Sequence, residues 1–352
     1  MNSGPDAENA GFPVPDDGAE VSPLTDMDFG EVFAAGDFAG DGSPVLLAVS
    51  GGPDSTALMR AAAGWSGAPP LFVATVDHGL RAEARAEAEA VGAAAARLGL
   101  PHAILSWEAR ARGRVSQEEA RRARYRLLAG HAEAVGAPRL ATAHTLDDQA
   151  ETILMRLAAG SGLSGLAGMA RRSRRGALLH LRPFLRLRKA ALVATCRARG
   201  WDFADDPTNR DPHYARPRWR ALAEPLAAEG LTPERIARLG ERLRRADRAL
   251  DEIAGKVAAE ATEIGAGGEV RVDFARLAGE PDEIGLRVLQ RGLEAAGAEA
   301  LRLERLEAAF AALAAARRAG RAPRRTLGGR ILALDAAGIL TIRPEPPRFR
   351  GR

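Results

Sequence analysis

The sequence predicts an α/β fold, a doubly wound and mainly parallel sheet followed by a second, mostly α-helical C-terminal domain. Short apolar runs alternate with helical stretches through the first part of the chain, the pattern of βαβ units whose strands lie parallel. A glycine-rich turn, Ser50-Gly51-Gly52-Pro53-Asp54-Ser55, stands directly between the first run and the helix that follows it. Beyond about Arg220 the runs give way to long stretches with apolar residues at helical spacing.

Residues 1–22 are rich in Pro, Gly, Asp and Glu and read as a disordered acidic leader. A short helix is expected near Thr25–Ala35. Val45–Ser50 is a buried-type strand, with a helix over Ser55–Trp65. Leu71–Asp77 is the second strand, followed by an alanine-rich helix from about Ala82 to Leu98. The third strand, near Ala103–Trp107, leads to a helix over Ser116–Val135. Arg139–Ala143 is the fourth, with a helix from Leu146 to about Leu157. The pattern then loosens into a glycine-rich loop, Gly160–Gly168, and an arginine cluster, Arg171–Arg175, also read as loop. Amphipathic helices are expected over Leu231–Ala261, Glu283–Ala296 and Leu301–Arg318. A terminal hairpin pairs Arg330–Leu334 with Ile339–Arg343. The expected division is a leader over 1–22, a catalytic domain over 23–222, and a helical domain with its hairpin over 223–352.

No apolar run reaches the roughly 18 residues that span a bilayer, and the first residues lack the basic and apolar regions of a secretory signal. The single cysteine, Cys196, excludes an intrachain disulfide and a Cys-rich metal site, which fits a cytoplasmic protein. The formal charge of +4 conceals an asymmetry: residues 1–42 hold ten acids and no Lys or Arg, so the remainder carries +14. That excess is nearly all arginine, Lys189 and Lys256 being the only lysines. Guanidinium groups suit phosphates and stack on bases, which makes nucleic acid a plausible partner. A genome that favours Arg and Ala codons gives the same composition, so charge alone leaves both readings open.

Chemistry concentrates beyond the carboxyl ends of the expected strands, where doubly wound sheets bind ligands. In the Ser50–Ser55 turn the glycines let the backbone approach a ligand, and Pro53 suits a first helical position that needs no N–H. The free amides there make an anion site, and the hydroxyls of Ser50 and Ser55 add donors. An acid inside a phosphate cradle needs a cation, so Asp54 suggests Mg²⁺; the bland alternative is a capped turn in which Asp54 only complements the helix dipole. Asp77-His78-Gly79 and His144 end the second and fourth strands. Asp148 and Glu151 share one helix face and, with Asp147, call for a cation, either Mg²⁺ or an ammonium. Thr145 and Asp148 also have the spacing of a capping box, which needs no ligand. The run Arg121-Arg122-Ala123-Arg124-Tyr125-Arg126 reads as a solvated helix face or a nucleic-acid contact, and Arg171–Arg175 as a contact on a loop.

The hexapeptide resembles the SGGxDS loop of the ATP pyrophosphatase (PP-loop) superfamily and differs from the lysine-containing P-loop. Val76-Asp77-His78-Gly79-Leu80-Arg81 and the stretch Leu140–Thr152 narrow the resemblance to the bacterial tRNA(Ile)-lysidine synthetases. Gly160-Ser161-Gly162-Leu163, Gly165-Leu166, Arg182-Pro183-Phe184 and Asp205-Asp206-Pro207-Thr208-Asn209 continue it in order, with Tyr214, Arg216 and Arg220 behind them. The likeness covers about residues 44–220, and Pro217-Arg218-Trp219 departs from the family's Asn-containing pattern.

This resemblance implies a PP-loop ATPase fold and a two-step reaction on the wobble cytidine of isoleucine tRNA. ATP adenylates the base, then L-lysine displaces AMP to give lysidine. It implies ATP binding by Ser50, Gly51, Gly52, Pro53, Asp54, Ser55, Asp77 and His78, with Mg²⁺ on Asp54. It implies lysine binding by Asp148 and Glu151, with Asp54 and Asp148 as catalytic residues. Contacts to tRNA fall to Arg124, Arg171, Arg172, Arg174, Arg175, Arg216 and Arg220. No membrane partner is expected, and the sequence is compatible with a homo-oligomer. Three alternatives compete: a tRNA thiolase, an amidotransferase-type ligase, and a non-catalytic nucleotide- or RNA-binding module. The first lacks its sulfur-handling cysteines and the second its glutaminase nucleophile.

Overall fold

The computed structural model describes residues 22–35, 38–79, 83–107, 116–204, 215–265 and 267–345. The chain divides into two compact units at Gly240 and Glu241, with Gly160–Leu166 joining the second. Most of the leader, together with Leu80, Arg81, Asp205–Asn209 and Tyr214, lies outside the described residues.

The strands of the first unit are β1 (Val45–Ala48), β2 (Leu71–Asp77), β3 (His102–Ser106), β4 (Arg139–Ala141), β5 (Arg172–Arg175) and β6 (Leu178–Leu181). They form one sheet in the order β3-β2-β1-β4-β6-β5, parallel except at β5. β1 pairs on both sides, Val45 standing opposite Leu71 of β2 and Arg139 of β4. All of its side chains are buried, Val45 and Leu47 in one apolar cluster and Leu46 and Ala48 in another. Covered on both faces, β1 reads as an unbroken apolar run without alternation.

The flanking helices are α1 (Asp26–Ala34), α2 (Pro53–Gly64), α3 (Glu83–Arg97), α4 (Gln117–Ala134) and α5 (Leu146–Ala158). Thr25 starts α1 with a capping box, its hydroxyl accepting from Asp28 N and its N–H donating to Asp28 Oδ2. Phe29 and Phe33 of α1, Leu58 of α2 and Val91 of α3 share the cluster that holds Leu47. Phe33, Phe38, Trp65 and Phe184 pack there ring to ring. On the opposite face Tyr125 and Leu128 of α4 cover Leu46 and Leu140. Helices after β1 and β2 thus lie on one face and the helix after β3 on the other, the double winding that right-handed crossovers impose.

Of Arg171–Arg175, expected as loop, Arg172–Arg175 instead form the edge strand β5, paired antiparallel with β6 so that Arg174 faces Leu179. An edge strand tolerates charge because one side of it meets water, and Arg174 and Arg175 are exposed. After the single turn α6 (Leu163–Leu166) and the strands β5 and β6, the chain continues through α7 (Lys189–Ala198), α8 (Ala215–Ala221) and α9 (Ala223–Ala228) to the long α10 (Pro233–Ala261), within which the units divide.

In the second unit the expected hairpin forms the middle of a larger sheet. Its strands are β7 (Thr262–Ile264), β8 (Val270–Asp273), β9 (Arg324–Leu327), β10 (Arg330–Leu334) and β11 (Ile339–Pro344), antiparallel in the order β7-β8-β11-β10-β9. Ile284, Val288 and Leu289 of the helix Asp282–Ala295 bury Val272, Leu332 and Ile342, and Phe310 and Leu313 of Leu303–Arg318 complete the core. The glycine-rich segment carries one helical turn, Leu163–Leu166, and Ser164 Oγ donates to Asp247 Oδ1 at 2.6 Å. Among the described residues no helix is long and apolar enough to cross a membrane.

Candidate active site

From β1 the chain winds outward to β2 and β3, and from β4 it winds the other way to β6. The loops leaving β1 and β4 therefore diverge and open a crevice beyond their carboxyl ends. Ser50–Ser55 leaves β1 into that crevice, and His144 with the first turn of α5 leaves β4.

The first loop curls on itself. Gly51 adopts φ +90°, which L side chains rarely take, and a Cβ there would press on Val91 at 3.3 Å. Its carbonyl accepts from Thr56 Oγ1 at 3.2 Å and from Ala204 N at 2.9 Å. Ser50 N donates to Ser55 Oγ (3.1 Å), and Ser55 Oγ donates to Gly52 O (3.1 Å). Gly52 begins α2 without a side-chain cap and Pro53 fills its first turn, leaving backbone amides for an anion. Asp54 Oδ2 accepts from Lys189 Nζ at 2.6 Å, whereas its buried Oδ1 has no hydrogen-bond partner. Burial pushes the Asp54 carboxyl up; Lys189 opposes this, and the charges of Asp148 and Asp147 add to it.

The cap and the ligand reading of Asp148 engage different oxygens. Oδ2 accepts from Thr145 N (2.9 Å) while Thr145 Oγ1 accepts from Asp148 N (3.2 Å), closing the capping box. Oδ1 lies 3.5 Å from the Arg220 guanidinium. Arg220 Nε also donates to Glu151 Oε1 at 2.6 Å, so one cation holds both acids. Burial raises Glu151 against the pull of Arg220. Asp147 turns the other way, accepting from Lys189 N at 2.7 Å and facing Arg188 Nε at 3.4 Å.

Asp77 Oδ1 accepts from Gly79 N at 2.8 Å and shapes the turn after β2. His78 meets Trp107 edge to face at 5.9 Å, and burial with the nearby Arg124 charge lowers its pKa. Thr142 Oγ1 bridges His144 Nδ1 (2.7 Å) and His180 Nε2 (2.9 Å). Burial, then the charges of Arg182, Arg124, Arg121 and Arg216, push His144 far down, and burial with Arg182 takes His180 to about 2. Arg175 stacks on Tyr125 at 4.0 Å. Arg124 and Arg216 are thus brought close to His144, while Arg171, Arg172 and Arg174 lie at the sheet edge. The Arg216 charge also reaches Glu151, where with Arg220 it opposes the effect of burial.

Sequence reasoning missed Lys189, Arg188 and Gln149 as site residues. Lys189 had a signal, being one of only two lysines and following the Arg182-Pro183-Phe184 motif. Gln149, inside the α5 motif, clamps a distant peptide: Nε2 donates to Met169 O (2.9 Å) and Oε1 accepts from Met169 N (2.7 Å).

A PP-loop domain family matches residues 29–226. A protein named tRNA(Ile)-lysidine synthase from Methylobacterium sp. (strain 4-46) is 52% identical over 316 residues, covering 88% of this chain and 92% of that protein. One of the same name from Bradyrhizobium sp. (strain BTAi1) is 47% identical over 332 residues, with the same coverage of 88% and 92%. Among solved structures, the U34-tRNA thiolase NcsA from Methanococcus maripaludis, with its 4Fe-4S cluster, superposes with a TM-score of 0.50 at 16% identity. It covers 59% of this chain and 74% of its own, a likeness of fold alone.

Proposed function

The chain belongs to the tRNA(Ile)-lysidine synthases of the PP-loop family, and we propose that it joins L-lysine to the wobble cytidine of isoleucine tRNA at the expense of ATP. In the first step the base's 2-carbonyl oxygen attacks the α-phosphate and pyrophosphate leaves. In the second, the neutral ε-amine of lysine attacks the activated carbon, loses a proton, and AMP departs with the oxygen. A carbonyl oxygen leaves poorly until adenylated, which is why ATP is spent first.

The observation that carries this reading is the convergence of loop and acids at one crevice, where a single residue, Lys189, donates to Asp54 Oδ2 at 2.6 Å and to Asp147 Oδ2 at 2.7 Å. Pyrophosphate is assigned to the uncapped amides at the start of α2 with the hydroxyls of Ser50 and Ser55, an electrostatic form of catalysis. The adenosine end is assigned to Asp77 and His78. Mg²⁺ fits Asp54: its Oδ1 is a buried hard-oxygen donor without a partner. When bound, the ion neutralises the leaving pyrophosphate.

Lysine's ammonium is assigned to Glu151 and to Asp148 Oδ1, the oxygen the helix cap leaves over, and Asp148 is assigned to receive its proton. An unperturbed amine has a pKa of about 10.4, so a base beside it matters. Arg124 and Arg216, like Arg171, Arg172, Arg174 and Arg175, are assigned to tRNA phosphates. Arg220 is counter-ion to the lysine site before it meets RNA. A tRNA substrate puts the reaction in the cytoplasm. The thiolase reading fails on Cys196, the one cysteine, which is buried and whose thiol burial pushes up to about 11.

Mass spectrometry of isoleucine tRNA incubated with the protein, ATP and lysine tests the proposal. The expected product is a cytidine heavier by one lysine less one water, absent with Asp54→Ala; an unmodified tRNA with the native chain would overturn it.

A further inference from the structure

Lys189 ties together the two halves of the crevice. Its main-chain N–H begins α7 and donates to Asp147 Oδ2 of α5 at 2.7 Å, a cap supplied from another helix because Arg188 offers none. Its side chain runs the other way and donates to Asp54 Oδ2 of α2 at 2.6 Å. The Asp54 side chain is 19% exposed and the Lys189 side chain 40%. A half-exposed lysine is not drawn to a buried acid by apolar packing; the contact stands on charge. It also divides the carboxylate, with Oδ2 engaged and Oδ1 left without a partner.

We infer that Lys189 is a positioning residue for the phosphate loop, whose ammonium locks the Asp54 carboxylate so that Oδ1 alone is presented to the cation that accompanies ATP. The inference rests on the assignment of that cation to Asp54. The loop has no lysine of its own, unlike a P-loop, and the positive charge is delivered to it from α7. Two consequences follow from having an ammonium beside a metal-binding carboxylate. The carboxylate cannot swing round to chelate with both oxygens, and the local positive charge opposes a divalent ion that arrives without phosphates. Lys189 therefore makes the site poor at holding a bare cation and ready for one carrying the triphosphate.

The test uses Lys189→Met, which keeps the aliphatic stem and the capped main-chain N–H, beside Lys189→Arg and Asp54→Asn in the full chain. Mn²⁺ binding without nucleotide is followed by electron paramagnetic resonance. Lys189→Met should bind Mn²⁺ about tenfold more tightly than the native chain, the effect of removing one positive charge a few ångströms from the ion. Lys189→Arg should bind it like the native chain, and Asp54→Asn should bind it weakly. Pyrophosphate release should then show Lys189→Met with a lowered kcat and an unchanged KM for lysine, partly restored in Lys189→Arg. Native Mn²⁺ affinity in Lys189→Met, or in Asp54→Asn, would overturn the inference while lysidine formation by the native chain still stood. Tighter Mn²⁺ binding in Lys189→Met by a chain that makes no lysidine would uphold the inference and sink the functional reading instead.

Discussion

Glu151 and Asp148 meet one guanidinium, so under the proposed assignment substrate lysine competes with Arg220 for both acids. Glu151→Gln keeps size and an acceptor for Arg220 but removes the charge. Losing one charge-assisted contact to a partly desolvated ammonium is worth about 1.5–3 kcal/mol, or ten- to a hundredfold in affinity. The KM for lysine should rise by that factor while adenylation of the tRNA stays near native; unchanged lysine kinetics would return Glu151 to a structural role. The neighbouring imidazoles predict a pH effect. Above about 6.5 His180 is neutral in folded and unfolded chains alike and contributes nothing. Below it the unfolded chain takes up a proton that the buried imidazole refuses until about 2, so stability falls with pH across that window. The slope is up to about 1.4 kcal/mol per pH unit for one such group. Thermal melts between pH 7 and 5 should fall less steeply for His180→Gln than for the native chain. At this scale the loop and the acids were legible because motif and spacing name them. The partners Lys189 and Arg220 came into view, or into their real contacts, only once β4, α7 and α8 were folded together.

Gly168 shows how one element fixes another. It adopts φ +71°, and a Cβ there would lie 2.8–2.9 Å from the Gln149 carboxamide that clamps Met169. Gly168→Ala should therefore cost about 1–3 kcal/mol, backbone strain plus the opened clamp. Gly176→Ala is the control: it shares a left-handed φ of +61° but has nothing within 4 Å, so only the strain of about 1 kcal/mol should appear. Equal melting temperatures for the two variants would mean the clamp contributes nothing. Every strand and helix from α1 to α5 was legible within a few residues, since apolar runs and, at Thr145, the spacing of a capping box mark their ends. β5 escaped because Arg172-Ser173-Arg174-Arg175 carries no apolar alternation; its pairing comes from the backbone of β6. β7 and β8 escaped because four-residue or shorter strands after a helix of 29 residues offer too little periodicity to read.

Over the whole molecule, the excess of arginine outside the first 42 residues predicts binding to tRNA that weakens steeply with salt. Each phosphate contact contributes about 0.7–0.9 to the slope of log K against log salt. Arg171→Gln, Arg172→Gln and Arg174→Gln combined should flatten it by about 2–3, Arg175 being spared because it stacks on Tyr125. Titrations from 50 to 200 mM KCl would show it, and an unchanged slope would mean the edge strand faces away from the RNA. Charge asymmetry was legible from composition; which arginines are held inward, as Arg182 is by Ala170 O and Ser173 Oγ, was not.

Trp107, set edge to face against His78 beside the assigned nucleotide site, gives the protein a built-in optical signal. Indole emission responds to the polarity and water around the ring, and a ligand settling by His78 changes both before any bond is made or broken. Trp65 sits among phenylalanines, Trp201 lies under Arg199, and Trp219 is on α8, so all three can be replaced by Phe to leave one emitter. Rapid mixing of that variant with ATP, lysine or tRNA would then time each arrival separately, turning the order of substrate addition into a trace of light against milliseconds.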